Sequence, residues 1–473
     1  MNDPSQSLSR RERLCYGLGD FASVLYWQTF SVYLAYFYTD VYGLAAGATA
    51  AMLGLSRSVD AFFDPVMGMV ADRTRSRWGM FRPYLLWLSM PLAVAGMLTF
   101  TTPALGPSGR LAWAWITYNL VMLLYTAVNI PYTALLGVMT ADPVGRTALS
   151  SVKFVGAFAA GTLVSALMLP GVRAFGPGRE QQAWQVAAAV IGVLAVVCLL
   201  ITFWSARERI RPPVEQRSTV GRDLLDILTN GPWLFLLFTT MATILFAAMR
   251  SSVTIHYFKY YVGPRTVGLP AWLPWLGGSR EWPMETTVSV FNTTGQLAGV
   301  LGVMLVPFLA RRLGRKKAFI ILMGLAVACT LVFALLRPDQ VLAMIAVNLL
   351  GSFAGGPVCA LLWTMYADAA DYGEWKNGRR ATGLVFSASI FATKQGYAIG
   401  AGLALALLSH AGFVANAVQS PEVLAGLRLL MSVHPGVIGV VAIALMFFYP
   451  LDEAKMTVIT LDLDARRRPT PPV

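Results

Sequence analysis

The sequence predicts an all-α membrane protein of twelve transmembrane helices arranged as two six-helix halves related by a pseudo-two-fold axis. Three observations predict it. The 473 residues are 56% hydrophobic and 13% charged, with a mean hydropathy of +0.60, which is about half the charge of an ordinary soluble chain. The apolar residues fall in a dozen runs of about 20 or more, each long enough to cross ~30 Å of hydrocarbon as a helix. The third observation is an internal repeat: TALLGVMTAD at 133–142 matches CALLWTMYAD at 359–368 at six of ten positions, 226 residues later.

Apolar runs between charged or Gly/Pro-rich breaks place the first six spans at 14–38, 45–71, 83–103, 111–140, 148–171 and 183–204. The second six fall at 232–262, 285–309, 318–336, 341–367, 382–409 and 427–450. The polar start MNDPSQSLSRRER leads into the first span without a short apolar core and small-residue cleavage site, so that span is expected to stay in the mature protein. The polar stretch 205–231 divides an N-terminal bundle, 1–204, from a C-terminal bundle, 232–450, followed by a polar tail at 451–473. The 263–284 loop is long and aromatic, and nothing in its composition assigns it a role.

The formal charge of +13 would suggest nucleic acid in a soluble protein, but its placement follows the membrane instead. Alternate loops collect 25 Lys and Arg on one side and six on the other. By the positive-inside rule both termini and the central loop are expected in the cytoplasm, the membrane being a cytoplasmic (inner or plasma) membrane. Cys15, Cys198, Cys329 and Cys359 all lie in apolar runs and are expected as small packing residues, not a disulfide set or metal site.

Ionisable groups inside a span cost roughly 2.5–3.5 kcal/mol each on insertion scales, so they face a cavity, a partner or both. Span 2 carries Arg57, Asp60 and Asp64 at i, i+3, i+7, one face of a helix. Two carboxylates a turn apart in low dielectric form a site for a coupling cation, H⁺ or Na⁺; the plainer alternative is a salt-bridge cluster that ties helices together. Pro65 directly after Asp64 predicts a local break that frees backbone carbonyls. Span 4 carries Tyr125, Thr126, Asn129, Tyr132 and Thr133, an aromatic and amide face that suits a polyol, or else serves as polar glue between helices. Span 8 offers a similar stretch, Asn292, Thr293, Thr294 and Gln296.

Lys153 in span 5 and Lys394 in span 11 are mobile cations able to pair with the carboxylates in one state and not another, while Arg250 in span 7 suits an acidic substrate. His256, His410 and His434 sit near span ends or a proline and are read as structural. Apart from Trp363 in the repeat motif, most tryptophans are expected to face lipid or the interface. There is no Walker loop, no Gly-rich dinucleotide motif and no His/Cys metal spacing, so no cofactor, metal or nucleic-acid partner is expected and an enzyme is disfavoured. An ion gradient supplies the energy, about 2.3 kcal/mol per charge per 100 mV.

Five segments together resemble one family: YGLGDF (16–21), YFYTDVYGL (36–44), RSVDAFFDPVMGMVADRTRSRWGMFRP (57–83), YTAVNIPYTALLGVMTAD (125–142) and WTMYADAADYGEWKNGRRATG (363–383). They resemble the glycoside-pentoside-hexuronide:cation symporter family of the major facilitator superfamily, to which melibiose permease belongs. The resemblance implies that Asp60 and Asp64 are the cation-site acids, with Thr126 a further ligand and Lys394 nearby. It also implies Tyr125, Asn129 and Lys153 at the sugar; Arg250 in span 7 and Trp363 in the repeat motif are expected, from their own positions, as further substrate contacts. Phe63 stands where melibiose permease has an Asn, which removes an oxygen and favours H⁺ over Na⁺. Ser23 and Val24 align with that permease's Lys and second sugar-binding acid, so melibiose itself is not the expected sugar. A neutral Asn129 with Lys153 and Arg250 nearby would favour a uronide.

The expected function is therefore import of a glycoside, pentoside or hexuronide with H⁺ or Na⁺ by alternating access. A cytoplasmic gate is expected from the basic loops 73–82 and 311–317 with Asp72, Arg73, Arg77, Asp142, Arg146, Asp368 and Asp371. The partners expected are a small-molecule sugar and the bilayer, with no obligate protein partner. The rivals are a transporter of the same fold for a lipid-like or drug-like substrate, which would need an apolar cavity, and a non-transporting sensor, which would have no use for Asp60 and Asp64.

Overall fold

In the computed structural model the described residues are 9–140, 143–209, 229–268, 279–377 and 382–467. The chain is almost wholly helical. The helices of the first half are α1 (Arg10–Tyr36), α2 (Ala46–Arg73), α3 (Arg82–Trp87), α4 (Ser89–Thr99), α5 (Pro107–Met139), α6 (Pro143–Arg173) and α7 (Glu180–Ser205). Those of the second are α8 (Gly231–His256), α9 (Met284–Met304), α10 (Val306–Leu313), α11 (Arg315–Val332), α12 (Val341–Asn377), α13 (Thr382–His410), α14 (Pro421–Met431), α15 (Val433–Phe447) and α16 (Glu453–Arg467). Each of the twelve predicted stretches is helical, and among the described residues seven helices are long and apolar enough to cross a membrane by length and composition.

Prolines account for the interruptions. Spans 3, 8 and 12 break at Leu88, Leu305 and Ser432, two or three residues before Pro91, Pro307 and Pro435, where a missing N–H and ring crowding disrupt the preceding turn. The break expected at Pro65 is absent as a helix end: α2 continues through it to Arg73, as helices packed among others in a membrane tolerate. Pro131 inside α5 and Pro357 inside α12 stand at the same 226-residue offset as the repeat.

Three local features were not predicted. Each half's first helix runs on into a π-helical turn, Phe37–Val41 after α1 and Tyr257–Val262 after α8. The 263–284 loop contains an antiparallel hairpin, β1 (Arg265–Gly268) with β2 (Ser279–Trp282), pairing Arg265 with Trp282. The polar tail forms α16, whose Met456, Ile459 and Leu463 are buried on one helical face. Most of the central loop, 210–228, lies outside the described residues.

The chain forms two compact units. The first comprises 1–214, 251–296 and 401–427, the second 215–250, 297–400 and 428–473. In the first, aromatic rings fill the interior: Trp184 lies 5.8 Å from Phe100, ring on ring, and is 1% exposed. It is therefore a packing residue and not a lipid-facing one. The second unit has its own core around Phe319, Met323, Leu361, Met365 and Met446.

The sequence start of α1 is well capped. Ser9 accepts from the Glu12 backbone N–H while the Glu12 carboxylate accepts from that of Ser9, a reciprocal capping box. Glu12 also pairs with Arg209 at 2.8 Å. The neighbouring Glu208 carboxylate accepts from the backbone N–H groups of Met80, Phe81 and Arg82 at 2.8–3.0 Å. The start of the central loop thereby ties the end of the 73–82 loop to α1.

Candidate functional site

The polar residues of the first unit converge on α1, α2, α5 and α6. Asp60 on α2 is buried, and the Thr126 hydroxyl on α5 lies 2.9 Å from its carboxylate and 3.5 Å from that of Asp64. The two helices are also joined by Asn119, which donates to the Ser56 hydroxyl at 2.9 Å. The result is a set of carboxylate and hydroxyl oxygens in a poorly hydrated place, suited to a proton or a hard cation. The side chain of Arg57, the third member of the predicted stripe, lies outside the described residues.

Next to this set, Tyr125 lies within electrostatic reach of Asp60, Asp64 and a third carboxylate, Asp20 on α1. Its ring stacks on Trp27 with centroids 6.3 Å apart and planes inclined by 28°. Trp27, half-buried, thus has a role other than the lipid-facing one expected of it. Asn129 lies one turn beyond Tyr125 on α5 and is half-buried. Tyr132 is buried, stacked on Tyr16 at 4.9 Å, and donates to the Tyr16 carbonyl at 2.9 Å; it joins helices, and Thr133 points outward.

Lys153 on α6 forms an ion pair with Asp20, Nζ to Oδ1 3.7 Å, and lies 5.7 Å from the Tyr132 ring centre. Asp20 was missed in the sequence. It lies within the first span, and the insertion cost that singled out Asp60 and Asp64 applies to it equally; its position in YGLGDF was in plain view.

A second cluster, also unpredicted, joins the two π-helical turns within the first unit. The fully buried Asp40 carboxylate meets Lys259 at 2.7 Å, His256 at 3.2 Å and the Tyr260 hydroxyl. Thr39 donates to Asp40 at 2.7 Å, Lys259 also donates to the Asn416 side-chain oxygen at 2.7 Å, and the Asn416 amide donates to the Asp40 backbone carbonyl at 2.6 Å. His256 is an ionic-cluster member, which its place near a span end did not disclose. π-helical turns of this kind concentrate at functional sites.

In the second unit, Arg250 donates to the Thr330 hydroxyl at 3.1 Å and lies over the Phe333 ring at 5.2 Å. Trp363 is 40% exposed on α12, edge-on to Tyr366, and Lys394 is half-buried on α13. Of the expected gate residues, Asp368 pairs with Arg315 at 2.6 Å and Arg315 with Glu453 at 3.0 Å, while Asp371 is half-buried nearby on α12. Arg77 stacks on Trp78 at 4.2 Å. The side chains of Asp72, Arg73 and Arg146, and Asp142 as a whole, lie outside the described residues. So do Arg379 and Arg380 of the repeat motif.

A family model described as MFS/sugar transport protein matches residues 15–275 and 282–453, nearly the whole chain. The chain belongs to the glycoside-pentoside-hexuronide:cation symporter family. Within this major facilitator family it is 35% identical over 463 residues to YagG of Escherichia coli (strain K12), a chain named as a glycoside/cation symporter, with 97% of this chain and 96% of that one covered. It is also 35% identical to the isoprimeverose transporter of Lactiplantibacillus pentosus, across 92% of this chain and 88% of that one. Its fold is similar to a solved bacterial homologue of the human drug peptide transporters, with a TM-score of 0.66 at 12% identity over 96% of this chain and 99% of that one. As a symporter of this family it is an integral membrane protein with the major facilitator fold, and the family consists of transporters and not enzymes.

Proposed function

We propose that this chain is a secondary active symporter, with twelve membrane-spanning helices, that imports a glycoside, pentoside or hexuronide with H⁺ or Na⁺ across the inner membrane by alternating access. The observation that carries this reading is the Thr126 hydroxyl between Asp60 and Asp64, next along α5 to a Tyr125 whose ring stacks on Trp27. A cation held at Asp60 and Asp64 changes the charge felt by Tyr125, and through it the side of the site that presents Trp27, Asn129 and Lys153 to a sugar. Aromatic rings suit the C–H faces of a pyranose, and amide, hydroxyl and charged groups suit its hydroxyls. Cation and sugar then bind with reciprocal affinity gains, and the two six-helix halves, 1–204 and 232–450, rock about the site. In this reading the Arg315–Asp368 pair belongs to a cytoplasmic gate.

The test is pH change in weakly buffered, de-energised cells expressing the protein without Na⁺, on adding glycosides, pentosides and uronides one at a time. Alkalinisation with at least one sugar, abolished in Asp64→Asn, is the expected result for H⁺. For Na⁺ the same pattern would register on a Na⁺ electrode. Silence of both electrodes across the panel would overturn the reading and favour a lipid-like substrate.

A further inference from the structure

Helices α1 and α6 approach so closely at Gly17 and Gly156 that neither position leaves room for a side chain. A Cβ on Gly156 would sit 2.2 Å from the Gly17 carbonyl oxygen, and one on Gly17 would sit 2.7 Å from that of Val152. One on Gly19 would meet the Tyr132 ring at 2.2 Å. The glycines of YGLGD bring the following Asp20 against Lys153, with side chains only 12% and 23% exposed.

We propose that Asp20 is a specificity-determining residue of the sugar site: paired with Lys153, it makes this transporter select a neutral glycoside or pentoside over a hexuronide. The inference rests on the sugar-symport reading above and names its substrate class. It reverses the preference that Lys153 and Arg250 suggest when Asp20 is left out.

The separation of 3.7 Å exceeds the 2.7–2.9 Å or so of a direct charge-assisted hydrogen bond. A sugar hydroxyl donates and accepts, so one hydroxyl bridging the two groups from the side satisfies both, accepting from the Lys153 ammonium and donating to the Asp20 carboxylate. A uronide carboxylate is acceptor-only when ionised. Seated on Lys153, it would face Asp20 with no proton between two like charges, which weakly hydrated surroundings penalise. The neighbourhood adds to this, since Tyr125 senses Asp60 and Asp64 as well as Asp20. Arg250, the other cation expected to serve an acid, is engaged with Thr330 and Phe333 in the second unit.

The test uses the full-length protein in proteoliposomes under imposed H⁺ and Na⁺ gradients. Initial uptake rates are compared for matched neutral and acidic sugars: methyl β-xyloside and methyl β-glucoside against methyl β-glucuronide, and methyl β-galactoside against methyl β-galacturonide. Wild type is expected to take up a neutral member at least about tenfold faster than its uronide, with the ratio falling about tenfold in Asp20→Asn, where Lys153 loses its counter-charge. Asp20→Glu should keep the wild-type ratio, and Asp20→Asn combined with Lys153→Gln should restore rejection of the uronide, a pattern that loss of structure alone would not produce. Equal or faster uronide uptake by wild type would overturn the proposal, as would an unchanged ratio in Asp20→Asn. Where Asp20→Asn does not reach the membrane, the wild-type ratio decides. Uptake of no sugar at all would remove the symport reading and this proposal with it, whereas uronide-selective uptake would remove this proposal alone.

Discussion

Thr126 has one proton to donate, so at any moment it serves Asp60, 2.9 Å away, or Asp64, 3.5 Å away, and not both. In the proposed cation site, the carboxylate not accepting this proton is the one that takes the coupling cation. Removing the hydroxyl in Thr126→Val leaves two acids without that donor and one ligand fewer for the cation. A hydrogen bond to a charged group is worth about 1.5–3 kcal/mol and this one favours the ionised acid, so for H⁺ the proton concentration giving half-maximal sugar uptake should fall by roughly ten- to a hundredfold, whereas for Na⁺, which loses an oxygen ligand, the midpoint should rise. Uptake titrated against Na⁺ or pH measures this, and an unchanged midpoint would exclude Thr126 as a ligand. At this scale the sequence was informative only where partners share a helix: Asp60 and Asp64 announce each other by spacing. Asp20 with Lys153 and Asp40 with His256 and Lys259 pair across helices, and periodicity carries no record of that.

The contact of α1 with α6 depends on backbone meeting backbone. Gly156→Ala would place a methyl 2.2 Å from the Gly17 carbonyl, which cannot swing aside as a side-chain tip would. Overpacking of this kind costs about 1–3 kcal/mol, so the detergent-solubilised variant should unfold at a lower temperature. Gly68→Ala on α2, with no atom within 4 Å of the added carbon, is the control and should not. At the start of α1, burial pushes the Glu12 carboxyl up, but the Ser9 backbone N–H and Arg209 outweigh it and hold the carboxyl below the usual glutamate value of 4.5. A lowered folded-state value means the stabilisation is complete above pH 4.5 and is lost as pH falls through the folded value. Melting temperature should therefore drop on acidification below about that pH more steeply in wild type than in Glu12→Gln, as differential scanning fluorimetry would read. Element boundaries were largely legible, since apolar runs and prolines are local signals. The helix α16 was not, because its apolar face is three residues wide at helical spacing in an otherwise polar tail.

Over the whole molecule, 25 Lys and Arg collect on one side of the twelve-span reading and six on the other. By the positive-inside rule that asymmetry predicts both termini and the central loop in the cytoplasm. A reporter active only in the cytoplasm, fused after Val473, should be active, and an external protease should not reach it; the reverse pattern would invert the topology and exchange the expected roles of the two sets of loops.

By itself the sequence determined that this chain is a helical membrane protein, where most helices begin and end, that a ten-residue segment recurs 226 residues later, and which family it resembles. These follow from hydrophobicity, proline placement and motif identity, all of which are carried by neighbouring residues. Only the tertiary structure decided that Asp20 occupies Lys153, that Trp27 lies on Tyr125 and that Asp40 gathers His256, Lys259 and Asn416. The physical reason is that a buried charge must find a counter-charge, and which one it finds depends on how closely two helices pack. That distance is set by the glycines and aromatic rings between them.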